Sequence, residues 1–563
     1  MDSNRLVAGI TVLARGSQTL GTAPIPNPAD RQHPGDELEG LPQAGPGAVG
    51  LCLSGGGSRA LSCAMGQLRA LRWLGKLDEL FVISSVSGGS WANSLFTYLP
   101  EHISDDDFLG QPVLDPSQLS LLIGPHRLDH LPPHNLGEVP TRLGLWRDLD
   151  AILTLKERHG YANDELWQGL IGEQVFKPYG LWQPDASGHD PRYFTWTRRY
   201  LQGQNGILAH NPGLKPGSFL CVERARPFAI FNTALFSNDG PDADLIPFEC
   251  NFQLGVRHNF PAQPSQQGAI GGGLLDAFAM GGRYLGEANG GGWVSSGRPA
   301  RPFALNDIAG CSSAAFAQML EEQYPVLSGL VPRYPYWPVA ERAEQDTLHY
   351  RFADGGSLEN LGLNALLARG LRRLIVCVNT DQAISRDPAS GDIVLSDDLP
   401  PLFGLQPFQP GLGYLPYSAQ QPGQGAARLY RHNQVFARQA FAQLQAGLFA
   451  ARQAGGAILF RQRLPVLAND WFDVPAQDSV ELLWVYNDFV SSWWKALPFD
   501  VRAALELESG GNFPRYNTFT QLELSATLVN ALAHLSCWCL ASDSTLGNPG
   551  GLSNAQMLTS MFD

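Results

Sequence analysis

Between residues 49 and 85 a short apolar run, a glycine turn, an amphipathic stretch and a second apolar run follow in immediate succession, and this order restricts the fold more than anything else in the chain. Val49–Leu53 reads as a strand, Ser54–Gly57 as a loop, Arg59–Leu74 as a helix with one apolar face, and Phe81–Ser85 as a second strand. Strand, helix and strand in that order make a right-handed crossover, so the two strands run parallel in a sheet that helices cover on both faces. The fold class is therefore α/β, with a mostly parallel central sheet. Further strands are predicted at Pro227–Leu235, around Phe248–Gly255 and at Leu374–Asn379, and helices at Trp91–Leu99, Asp307–Leu320 and Leu358–Leu371.

These segments lie far apart, and the chain between them is rich in turn formers, with 61 Gly and 41 Pro in 563 residues. Gly110–Gly144, Asn259–Gly297 and Pro400–Gly425 are long, Gly- and Pro-rich pieces of the kind that form lids or inserts. Pro24, Pro26, Pro28, Pro34, Pro42 and Pro46 stand among polar residues that cannot build a core, so Gly16–Gly47 reads as an arm or wrap. The expected organisation is an N-terminal arm over 1–46, a catalytic domain over 47–385 with cap or lid insertions at about 110–300, and a mainly helical region over 386–563 packed on it. In that last region helices are expected at Ala427–Gln453, Ser479–Leu497 and Leu522–Ala541.

A formal charge of −14 and the lack of any basic run exclude a nucleic-acid partner, whose affinity rests on clustered Lys and Arg. The same charge disfavours electrostatic adsorption to anionic lipid, so any transient contact with a membrane or micelle surface is expected to be apolar. Tyr334–Trp337 and the pair Trp493 and Trp494 offer rings suited either to such an interface or to the core. The eight cysteines are scattered through apolar stretches and read as buried thiols in a reducing compartment; Cys537 and Cys539, two apart on a helix, point in different directions and make a poor zinc pair. No metal and no cofactor is expected. Met1–Gly16 lacks the basic start and long apolar core of a signal peptide, and no run of about 18 apolar residues occurs. A cytoplasmic protein, at most peripheral to a membrane, is expected, with its oligomeric state left open.

Chemistry concentrates in three short motifs. Ser54-Gly55-Gly56-Gly57-Ser58-Arg59-Ala60 joins a strand to a helix N-terminus, where glycines let backbone N–H groups approach a ligand and the helix dipole favours an anion or a developing oxyanion. Ser85-Val86-Ser87-Gly88-Gly89-Ser90-Trp91 occupies the strand-to-helix position of a nucleophile elbow, with Ser85 where the G-x-S-x-G pattern has glycine. Asp354-Gly355-Gly356, followed by Ser357–Gly362 and a helix, sets a carboxylate in a turn from which it can reach a serine on a neighbouring strand end and accept its proton. All three are assigned to strand ends of one parallel sheet, where such sheets bind ligands.

Taken together, SGGGSRA, SVSGGSW and DGGSLENLGL resemble the patatin-like and cytosolic phospholipase A2 superfamily, the cytosolic phospholipase branch most of all. The resemblance covers Val49–Leu99 and Tyr350–Asp381, with the fragments Phe248–Gly255 and Gly310–Phe316 between them. It implies a three-layer α/β/α domain that hydrolyses acyl esters of phospholipids or lysophospholipids without a catalytic histidine. It also implies Ser87 as acyl-enzyme nucleophile, Asp354 as base, Gly56 and Gly57 as oxyanion donors, and Arg59 as the group that steadies a substrate phosphate. The roughly 45 residues before the first strand are too few for a calcium-binding C2 domain, so calcium-driven docking is not expected. Two other readings stand beside it. One is an α/β-hydrolase triad of Ser87, Asp354 and a later histidine, His432 or His534; the other is a non-catalytic module holding a lipid or phosphate at Ser54–Arg59.

Overall fold

The computed structural model describes residues 4–13, 45, 47–238, 240, 243–260, 270–288, 292–323, 328–339 and 348–563. Its main sheet has fourteen strands. In chain order these are β1 (Arg5–Val12), β2 (Val49–Leu53), β3 (Leu80–Val86), β4 (Phe228–Phe236), β5 (Leu245–Cys250), β6 (Gln253–Phe260), β7 (Ile270–Asp276), β8 (Tyr284–Glu287), β9 (Trp293–Gly297), β10 (Arg333–Tyr336), β11 (Leu348–Asp354), β12 (Arg373–Val378), β13 (Leu459–Val466) and β14 (Gln477–Tyr486). They lie in the order β8-β9-β1-β7-β6-β5-β4-β3-β2-β12-β14-β13, with β11 paired to both β4 and β10.

The fold is α/β, but its sheet is mixed rather than mostly parallel. Five adjacent strands, β4, β3, β2, β12 and β14, run parallel, and every other pairing is antiparallel. Parallel neighbours need a long crossover, which helix α1 (Gly57–Trp73) provides between β2 and β3. Short turns such as the one between Cys250 and Gln253 can only fold a strand back on its neighbour, and they build the antiparallel wing. The five-residue β2 is buried throughout, as a strand covered on both faces must be.

Several sequence expectations change with this sheet. β4 to β9 fall inside the stretch read as a lid at 110–300; β4 closes the parallel core and β5 to β9 lie in the antiparallel wing. β13 and β14 come from the region read as mainly helical, and they pair onto β12, so both parts of the chain share one sheet. The helix expected at Ser479–Leu497 is the strand β14 followed by a short helix at Ser491–Ala496. Leu482–Tyr486 is a continuous apolar run buried between β12 and β13, a pattern that periodicity alone does not separate from a buried helix. The first described segment is likewise a strand, β1, held between β9 and β7, while most of the Pro-rich arm lies outside the described residues.

Over the parallel core α1 packs on helix α2 (Gly88–Thr97) and on α5 (Ala526–Ala541), with α3 (Leu305–Ser312) and α4 (Ala315–Gln323) introducing the wall of the site described below. Both aromatic clusters belong to the interior: Tyr334, Tyr336, Trp337 and Trp493 are buried and Trp494 is partly so, which removes them as a lipid-facing surface. Among the described residues no helix is long and apolar enough to cross a membrane.

The crossing of α1 and α5 depends on one glycine. A Cβ on Gly66 would lie 2.1 Å from the carbonyl oxygen of Ala533 and 2.9 Å from Cβ of Ser536. Gly66→Ala should force the helices apart and destabilise the fold by about 1–3 kcal/mol. Urea denaturation measures this directly, and an unchanged midpoint would contradict the contact.

Candidate active site

The three motifs meet at the C-terminal edge of the parallel strands. β2 ends in Ser54–Gly56 and passes into α1; β3 ends at Ser87 and passes into α2; β11 ends at Asp354. Ser54 fixes the first loop in place, since its Oγ accepts the Asn379 N–H at 2.8 Å and its own N–H donates to Cys377 O at 3.3 Å. The third motif holds it from the other side, where the Asn360 carbonyl accepts the Gly55 N–H at 3.0 Å.

Glycine is required at the junction of the first two loops because backbone meets backbone there. A Cβ on Gly88 would lie 2.1 Å from Gly57 O, and one on Gly89 would lie 2.5 Å from Leu53 O. A Cβ on Gly55 would approach Cβ of Ser87 to 3.0 Å. Ser87 itself has φ 49 and ψ −122, a conformation L-residues rarely adopt and one that turns its side chain out of the strand. Its N–H donates to Ser312 Oγ at 3.1 Å, and Ser312 Oγ lies 2.7 Å from the Asn232 carbonyl. Ser312 closes α3 in the GCSSAAF fragment beside Ser313, and nothing in the sequence singled it out for this contact.

Ser85, the residue standing where an elbow has glycine, is fully buried away from the site. Its hydroxyl is shared among Ser90 Oγ, the Ile230 carbonyl and Asn93 Nδ2 at 3.0–3.1 Å. Serine fits there because strand and helix leave room for a hydroxyl that the core then satisfies. Of the three serines in SVSGGS, Ser87 alone lines the cavity in front of the loops.

That cavity has a volume of about 400 Å³, and Gly56, Gly57, Arg59, Ser87 and Asp354 all line it. Asp354 is buried, with Oδ1 accepting the Gly356 N–H at 2.7 Å and Oδ2 accepting the Ala315 N–H at 3.3 Å. Burial pushes its pKa up to about 6, against the Gly356 amide, the Ser87 hydroxyl and the Ala315 amide, which favour the carboxylate. Among the described residues the N–H groups of Gly56 and Gly57 have no protein acceptor; they stand at the N-terminus of a 17-residue helix with no acidic residue in its first turn. Such amides beside a hydroxyl and a carboxylate suit a reaction in which an oxygen gains negative charge.

Arg59 reaches the wall of the cavity, but two of its donors are engaged: Nε with the Asn379 carbonyl at 3.0 Å and Nη1 with the Tyr516 carbonyl at 2.8 Å. Asp381 Oδ2 lies 3.8 Å from Nη1. Further residues not singled out from sequence line the cavity, among them Phe316, Asn360, Asp398, Tyr430 and Thr518. Neither histidine of the triad reading does. His432 stacks on Trp471 at 3.7 Å with its pKa pushed down to about 4 by burial, and His534 is buried against Arg69 at 3.2 Å. Among the described residues no cluster of side chains suited to a metal occurs.

No protein-family model matches the sequence, and no curated protein matches it. Solved structures of a human enzyme are similar at low identity. Human GIVD cytosolic phospholipase A2 gives a TM-score of 0.43 at 12% identity, over 91% of this chain and 60% of that one. The same protein in complex with methyl gamma-linolenyl fluorophosphonate gives 0.41 at 14%, over 95% and 60%. The chain thus spans about 60% of the length of these structures. The likeness is remote, and the functional reading rests on the site itself.

The buried carboxyl carries a stability consequence with a definite sign. Its folded pKa of about 6 exceeds the ordinary 3.8, so the folded state holds the proton more tightly and ionisation at higher pH opposes folding. Asp354→Asn removes that opposition and should stabilise the protein by roughly 3 kcal/mol at pH 8. The gain should shrink as pH falls below 6 and vanish below about 4, where both states are protonated. Thermal melts across this range measure it; a variant less stable than the parent at pH 8 would contradict the assignment.

Proposed function

We propose that this chain is a serine acyl hydrolase cleaving fatty-acyl esters of glycerolipids, in the manner of a phospholipase A2 or lysophospholipase, on a patatin-like three-layer catalytic unit. One observation carries the reading: a serine held at positive φ shares a cavity with a buried carboxylate and two unengaged glycine amides. The volume of about 400 Å³ is that of a pocket for part of a lipid rather than for a single ion.

In this reading Asp354 takes the proton from Ser87 as Oγ attacks the ester carbonyl carbon. The carbonyl oxygen gains the electron pair and is held by the Gly56 and Gly57 N–H groups. Collapse breaks the ester C–O bond, the proton passes from Asp354 to the departing alkoxide, and the acyl group stays on Ser87. Water then attacks the acyl carbon and loses its proton to Asp354; the bond to Ser87 Oγ breaks, Oγ takes that proton back, and the fatty acid leaves. A carboxylate with a pKa of about 6 suits a base working near neutral pH. Arg59 contributes positive field beside the oxyanion loop, with a lipid phosphate as its proposed substrate contact. The substrate is presented by a membrane or micelle surface, so transient peripheral contact belongs to the proposal.

A histidine triad is disfavoured by the positions of His432 and His534 outside the cavity. A purely binding role leaves the strained Ser87 and the buried carboxyl without a purpose.

Hydrolysis of a p-nitrophenyl acyl ester and of a lysophospholipid tests the reading. Wild type should turn over both, with kcat rising as pH increases through about 6 and then levelling, because Asp354 must be ionised to act. Ser87→Ala should lower kcat by at least about 1,000-fold, whereas His432→Ala and His534→Ala should retain it. Hydrolysis that survives Ser87→Ala, or that fails in a histidine variant which remains folded, would sink the dyad.

A further inference from the structure

We propose that Thr518, from the C-terminal third of the chain, is a positioning residue that helps set the direction of the Gly57 oxyanion amide. This rests on the reading of Ser54–Arg59 as the oxyanion loop. Thr518 is buried, and its Oγ1 donates a hydrogen bond to the carbonyl oxygen of Gly56 at 3.0 Å. The Gly56 carbonyl and the Gly57 N–H belong to one planar trans peptide and point in opposite directions. Holding the carbonyl toward Thr518 therefore turns the Gly57 N–H away from it.

Within α1 that peptide has one hold, the Ala60 N–H donating to the Gly56 carbonyl at 3.2 Å, and the Thr518 hydroxyl is its second. Gly56 has φ 130 and Gly57 has φ 54, both in the positive half that glycine enters freely. Two such residues in a row leave the intervening peptide plane poorly fixed by its own torsional preferences, and an amide aimed wrongly gives no oxyanion stabilisation. The fit of the hydroxyl is close. A Cβ on Gly57 would lie 3.0 Å from Thr518 Oγ1 and 3.3 Å from Phe316 Cε2, so the glycine leaves the space that the threonine uses.

Thr518 is itself held on both sides. The Tyr516 carbonyl accepts from Arg59 Nη1 at 2.8 Å, Asn517 Nδ2 donates to Asp381 Oδ2 at 2.7 Å, and the Phe519 ring lies 5.1 Å from that of Phe316. A little further on, the Leu522 carbonyl accepts from Ser58 Oγ at 2.7 Å. Residues 516–522 thus form a strap laid along the start of α1, and Arg59 gains a role in holding that strap. The C-terminal region supplies part of the catalytic arrangement as well as two strands of the sheet.

The test compares Thr518→Val, which keeps the shape and loses the hydroxyl, with Thr518→Ser, which keeps the hydroxyl and loses the methyl, using p-nitrophenyl ester hydrolysis and thermal melts. Thr518→Val should lower kcat about 10- to 100-fold, by analogy with the loss of hydrogen bonds that orient metal ligands, with KM changed by less than about twofold. Thr518→Ser should recover most of the lost kcat at a similar melting temperature. Should Thr518→Val not fold, Thr518→Ala removes the same hydrogen bond and must show the same loss in kcat. The proposal is overturned if the hydroxyl-free variants keep wild-type kcat while Ser87→Ala is inactive, or if Thr518→Ser loses as much as Thr518→Val. Wild-type activity in Ser87→Ala would instead defeat the hydrolase reading on which it rests.

Discussion

Two glycine turns from neighbouring strand ends press directly against each other, Gly88 on the Gly57 carbonyl and Gly89 on the Leu53 carbonyl. Side chains at these positions would drive β2 and β3 apart where both strands pass into helices. With glycine there, α1 and α2 start side by side, Gly56, Gly57 and Ser87 line one cavity, and the serine takes a positive φ. The parallel core sets the spacing of the strand ends, and the glycines convert that spacing into a site.

The polar supports of the site come from distant parts of the chain. Asn360 holds Gly55 from the Asp354 motif, Ser312 receives the Ser87 amide from the end of α3, and Thr518 holds the Gly56 carbonyl from the C-terminal strap. Each removes freedom from a backbone that glycine would otherwise leave loose. Asp354 stands in contrast, because its burial opposes its ionisation. That opposition brings its pKa to about 6.

Sequence made the two ends of this arrangement legible because they are local. SGGGSRA and SVSGGSW each sit at a strand-to-helix junction whose apolar pattern is read within a few residues, and DGG marks its own turn. The antiparallel wing was legible only in part: the strand expected around Phe248–Gly255 is the hairpin of β5 and β6, the glycines of Ile270–Asp276 read as loop, and the pairing of β1 with β7 and β9 joins distant parts of the chain. Leu482–Tyr486 has the composition of a buried helix and of a buried strand alike, and only its place beside β12 decides. Thr518 stands in no motif and Ser312 in a fragment that assigns it no role, and their meaning exists only once α3 and the C-terminal strap have folded over the loops. Arg59 was visible as a charge, while its two carbonyl partners were not.

The identity of the reacting atom is tested most directly by treating the folded protein with a lipid-like fluorophosphonate and mapping the modified peptide by mass spectrometry. A phosphonyl group on Ser87 alone, absent from Ser85 and Ser90 only a few residues away, is the predicted result. An adduct on another residue, or none while ester hydrolysis proceeds, would contradict the role given to Ser87.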